Sequence, residues 1–179
     1  MKKRRIKVKP RFWAIVGVLL ISVVCLCVGC KSDEIDPEMN VCEVAAVEVE
    51  DYILDIPLSC ELQKELYSAA QEFGVDYYVM IALIDRETDF ANIVGDGGES
   101  FGYCQVQPKW WYGLMMEIGA TDLDVPKDNF RTACAIISQL TEKHHCIEGA
   151  LVAYNQGYYN GNSTPYSREI IANADRYRA

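Results

Sequence analysis

Between residues 58 and 179, apolar positions recur mostly three and four apart, the spacing of amphipathic helices, and strand-like alternation is scarce. In CELQKELYSAAQEF, Leu62, Leu66, Ala69 and Ala70 fall on one face. Ser59 is placed to cap that helix, Gln63 and Glu65 stand in its early turns, and Gly74 ends it. A second helix follows Val75-Asp76 and runs through IALIDRETDF. The segment NIVGDGGESFGYCQVQP holds four glycines and Pro108, which predicts a loop or a small hairpin. Residues 109–119 predict a short helix, and residues 122–129 a turn around Pro126. NFRTACAIISQLTEKHH repeats apolar residues at Phe130, Ala133, Cys134 and Ile137. IEGALVAYNQG predicts another helix, closed by Gly157; YYNGNSTP predicts a polar loop, and YSREIIANADRYRA a last helix. There is no internal repeat. The expected fold class is mainly α, with one small loop or hairpin region.

One apolar run is continuous rather than periodic. FWAIVGVLLISVVCLCVGC, residues 12–30, carries no charge across 19 positions. As a helix it spans roughly 28 Å, about the hydrocarbon thickness of a bilayer. Lys2, Lys3, Arg4, Arg5, Lys7, Lys9 and Arg11 precede it, and no acid appears before Asp33. This asymmetry predicts a single-pass anchor in the cell membrane, with residues 1–11 inside and the rest extracytoplasmic. A lipoprotein site at Val28-Gly29-Cys30, acylated on Cys30, is the alternative reading, although Cys27 stands where such sites usually carry Leu. Either way the body is tethered. Residues 31–57 are acidic and contain proline, which predicts a linker into a folded domain at 58–179.

Composition refines this picture in three respects. Apolar residues make up 50% of the chain and charged residues 24%, as expected for a globular body. The net charge is −9 despite the basic head, and so acidic a body would repel phosphate, which excludes nucleic acid as a partner. Of the eight cysteines, the five in the body show no C-x-x-C spacing, so no metal site is expected. No cofactor is expected either. A Cys42–Cys60 bridge stays open as a pairing, Cys134 and Cys146 read as small buried hydrophobes, and His144-His145 reads as a solvated helix end.

Glu87 does not fit the pattern around it. With Glu87 at the origin of a helical wheel, Leu83 falls near about −40°, Met80 near about +20° and Ile84 near about +60°. The glutamate therefore sits mid-stripe on the apolar face, while Asp85 and Asp89 point the other way. A buried carboxylate is costly unless it is paired or protonated. At a pKa of ~4.3, about 0.2% of such groups carry a proton at pH 7. Raised to ~6–7 by burial, about 10–50% do, which suits an acid that must protonate a leaving oxygen. Leu83, Ile84 and Phe90 would supply that desolvation. A salt-bridged structural role for Glu87 is the competing reading.

Two further segments line up with this one. Gly102-Tyr103-Cys104-Gln105 places Gln105 18 residues after Glu87, and Ala153-Tyr154-Asn155 comes late in the chain. Together with Glu87-Thr88-Asp89-Phe90, the order and spacing resemble the soluble lytic transglycosylase family of peptidoglycan-cleaving enzymes. That family shows Glu-Ser-x-Phe, then Gly-Leu-Met-Gln, then Ala-Tyr-Asn. The resemblance covers about residues 58–178 and implies a lysozyme-like domain of the goose type, acting on peptidoglycan glycan strands. It implies Glu87 as the catalytic acid and then base. It also implies substrate contacts from Thr88, Asp96, Gly102, Gln105, Tyr154 and Asn155, with Tyr154 hydrogen-bonded to the catalytic carboxyl. Thr88 stands where the family has serine, Tyr103-Cys104 where it has Leu-Met, and Asp96 where many members carry another serine. Trp110 or Trp111, and Tyr158, Tyr159 and Tyr166, are candidates to stack on sugars at the cleft rim. A hydrolase of the same fold, with Asp96 or Glu99 positioning water, and a non-catalytic subunit of an envelope-spanning complex are the two competing functions.

Overall fold

The computed structural model describes residues 52–179. The anchor at 12–30, the acylation site at Cys30 and the Cys42 partner of the open pairing lie outside the described residues. Among the described residues no helix is long and apolar enough to cross a membrane.

The domain is mainly helical: α1 (Cys60–Phe73), α2 (Tyr77–Thr88), β1 (Val94–Gly95), β2 (Ser100–Phe101), α3 (Pro108–Ile118), α4 (Pro126–His144), α5 (Ile147–Gln156) and α6 (Pro165–Arg178). Local chemistry sets most of the helix ends. Ser59 accepts from the Leu62 N–H, Asp76 from the Tyr78 and Val79 N–H groups, and Thr164 forms a capping box with Ser167. The glycine-rich segment is a minimal antiparallel hairpin pairing Val94 with Phe101 and Gly95 with Ser100. The expected turn at 122–129 is shorter than predicted. Pro126 takes the first position of α4, where its missing N–H costs nothing.

α4 forms the centre of the core. It packs against α1, α3 and α5, and α2 packs against α6. Phe130, Ala133, Cys134, Ile136 and Ile137 are fully buried on α4, with Leu66, Met80, Leu83, Ile84 and Leu151 around them. Each such aliphatic or aromatic side chain contributes about 1.5–3 kcal/mol on burial.

Three local expectations change. The last part of the predicted linker packs onto the domain: Tyr52 stacks on Tyr67 with ring centroids 3.9 Å apart. The buried Gln63 side chain binds the backbone of Leu54 and Leu58 and accepts from the Tyr77 hydroxyl. Cys146 is exposed rather than buried, because it is the N-cap of α5 and its sulfur accepts from the Gly149 N–H. His144 is half-buried edge-on against Tyr159, and its Nε2 has no hydrogen-bond partner among the described residues.

Candidate active site

Asp89 and Phe90, with φ of 51° and 60°, stop α2 immediately after Glu87-Thr88. Glu87 thus lies in the last turn of α2, half-buried above Leu83 and Ile84. Burial raises its pKa above the usual carboxylate value, and the nearby Asp96 charge pushes the same way. The Tyr166 hydroxyl and the Arg86 charge oppose them without reversing the direction. Outward carbonyls at a helix C-terminus also disfavour negative charge there. The Tyr166 hydroxyl donates to Glu87 Oε1 at 2.5 Å and fixes the carboxyl. Tyr166 comes from the first turn of α6, beyond the 157–164 loop, and its ring is buried. Burial and the neighbouring Glu87 raise the phenol's own pKa, so it stays a donor.

The family-based role for Tyr154 therefore needs correction. Its hydroxyl donates to the Cys104 carbonyl at 2.8 Å, not to Glu87. Tyr166, expected at the rim, makes the contact instead. No spacing rule points to it, because a 79-residue separation carries no local signal.

The other expected residues fall into two groups. Thr88, Gly102 and Tyr154 shape the wall beside Glu87. The buried Thr88 hydroxyl lies 3.1 Å from the Ile84 carbonyl and 3.0 Å from the Tyr103 carbonyl, tying α2 to the 100–107 segment. Gly102 has φ 74°, and a Cβ there would collide with the Asn129 amide and come 2.7 Å from the Leu123 carbonyl. Gln105 uses its amide N–H groups on the Ile93 and Gly102 carbonyls, at 3.0 and 2.9 Å.

Asp96 and Asn155 are exposed. Asp96 sits in the hairpin turn at φ 49° and accepts from Ser100 at 2.5 Å and from Gln107 at 3.3 Å. Asn155 makes no side-chain hydrogen bond among the described residues. Glu99 pairs with Lys109.

Asn129 was not anticipated and holds this side of the molecule together. Fully buried on α4, it donates to the Phe101 and Leu123 carbonyls and accepts from the Cys104 N–H. In sequence it closes the expected 122–129 turn, and nothing there marks it as buried. Two surface cavities, of about 360 and 570 Å³, do not include Glu87. Among the described residues no group of His, Cys, Asp and Glu is arranged to hold a metal.

A mainly helical domain with a half-buried glutamate of raised pKa at a helix end, beside a short hairpin, is consistent with a lysozyme-like domain. The chain belongs to the transglycosylase SLT domain family, whose sequence model matches residues 66–169. No curated protein matches the chain. Family membership gives peptidoglycan as the substrate and lytic transglycosylase as the general activity.

Proposed function

We propose that the chain cleaves the β-1,4 bond between N-acetylmuramic acid and N-acetylglucosamine, with Glu87 acting twice. Glu87 first donates its proton to the glycosidic oxygen as the C1–O bond breaks. Its carboxylate then takes the proton of the muramoyl C6 hydroxyl while O6 bonds to C1. The product ends in a 1,6-anhydro ring, the proton is back on Glu87, and no water is consumed. The observation that carries this reading is the half-buried Glu87 carboxyl, desolvated and held by Tyr166. The exposed Asn155, and the Asp96 oxygen not engaged by Ser100 and Gln107, are open to sugar, with the Gln105 oxygen as a further acceptor. Thr88, Gly102 and Tyr154 act by holding the wall beside the scissile bond.

Mass spectrometry of peptidoglycan digested by the full chain tests the proposal. Anhydro-muramic ends are expected, and reducing-end muramic acid would reject it in favour of hydrolysis. That second reading rests on Asp96, an exposed carboxylate whose charge raises the Glu87 pKa and which would have to order the water. A purely structural subunit would be revealed by a Glu87→Gln chain that restores function in cells while inactive on wall.

The same proposal puts the domain outside the cell membrane, held by residues 12–30 or by a lipid on Cys30, near enough to an envelope-spanning complex to serve it. Protease added to intact protoplasts should remove residues 58–179. Protection would place the domain inside and contradict the tether.

A further inference from the structure

Trp110 is the most exposed large apolar side chain of the described residues, at 72%, yet it is held in place. Its indole N–H donates to Gln107 Oε1 at 3.1 Å. Gln107 Nε2 in turn donates to Ser100 at 3.1 Å and to Asp96 at 3.3 Å. The Lys109 ammonium lies 5.4 Å from the Trp110 ring centroid and is itself paired with Glu99. One face of the indole is thus covered by a cation, its edge is pinned, and its remaining surface is open to solvent. Trp111, the adjacent indole, packs against the core and is not available.

An exposed, fixed aromatic plate is unusual, because solvent normally leaves such a ring free to rotate. The C–H face of a pyranose is flat, apolar and weakly positive, which suits the negative face of an indole. N-acetyl and hydroxyl groups at the ring edge would meet the polar groups of Gln107 and Asp96. We infer that Trp110, pinned by the Asp96–Ser100–Gln107 network, is a stacking platform for a sugar ring of the glycan strand beside the Glu87 site. The inference rests on the reading of Glu87 as the acid only for the direction in which the strand runs. The platform itself is defined by Trp110 and its partners. The acidic hairpin turn and the platform belong to one hydrogen-bonded network.

The test uses the full chain carrying Glu87→Gln, so that binding is read without cleavage, titrated calorimetrically with an N-acetylglucosamine pentamer. Adding Trp110→Ala should weaken binding about tenfold, and Trp110→Phe should recover part of it. Tyr112→Ala, on the opposite flank of α3 and also exposed, should leave affinity unchanged. With Glu87 intact, Trp110→Ala should raise KM on wall fragments more than it lowers kcat, with the same products. Unchanged affinity in Trp110→Ala, an equal loss in Tyr112→Ala, or no measurable binding of the pentamer would each overturn the platform. Wild type that binds through Trp110 but releases no anhydro ends would leave the platform standing and reject the transglycosylase reading instead.

Discussion

The two sides of α4 are built on different principles. Toward α1 and α5 it presents Ala133, Ile136, Ile137 and Leu140 to a largely aliphatic core. At its N-terminal end Asn129 reaches the 100–107 segment, and shape there is set by hydrogen bonds. Of the five non-glycine residues with positive φ among the described residues, Asp89, Phe90, Asp96 and Gln105 lie on this site side. Such backbone costs of order 1–3 kcal/mol each and persists only where surrounding contacts enforce it. The aliphatic half supplies stability, and part of that stability is spent holding the hairpin segment in an unfavourable shape next to Glu87.

If so, substitutions on the two sides should behave differently. The largest effect is expected from Glu87→Gln, which keeps size and an acceptor for Tyr166 but cannot donate the proton. Wall-clearing activity should fall at least about a thousandfold, with the fold intact by circular dichroism. Next come paired changes on α4. Asn129→Leu leaves the Leu123 carbonyl and the Cys104 N–H without partners and should cost roughly 3 kcal/mol in denaturant unfolding, with activity falling too. Ile137→Val should cost only about 1 kcal/mol and spare activity. Equal behaviour of the pair would break the contrast.

Tyr166→Phe should cut the rate about tenfold, the worth of one good hydrogen bond. The hydroxyl favours the charged carboxylate, so its loss raises the Glu87 pKa further. Activity falls on the alkaline side as Glu87 loses its proton, so that limb of the kcat/KM profile should move to higher pH. The smallest effect is on thermal stability. Because the folded-state pKa of Glu87 lies above its unfolded value, its contribution is full below the unfolded value and lost as pH rises through the folded one. Glu87→Gln should therefore melt like wild type in acid and slightly higher at neutral pH.

The sequence was most informative where physics is local. Ser59 and Gly74 marked α1, the glycines marked the hairpin, and the periodicity of α2 singled out Glu87 because a charge on an apolar stripe has to be explained. It was least informative where partners meet across the chain. Tyr166 and Asn129 touch residues 79 and 25 positions away, and nothing in the spacing of side chains encodes such a meeting. The family pattern pointed to Tyr154 as the carboxyl's partner, whereas here the Cys104 carbonyl takes that hydroxyl. The motif named Tyr154, and the geometry puts Tyr166, a residue outside the motif, on the Glu87 carboxyl.

The central claim is that Glu87 keeps its proton above the pH at which an exposed glutamate would lose it. Carbon-13 NMR of glutamate δ-carboxyls, with the Glu87 signal found by comparing wild type and Glu87→Gln, measures this directly. The account predicts a midpoint clearly above the ordinary value of about 4.3. A midpoint at or below that value would contradict it.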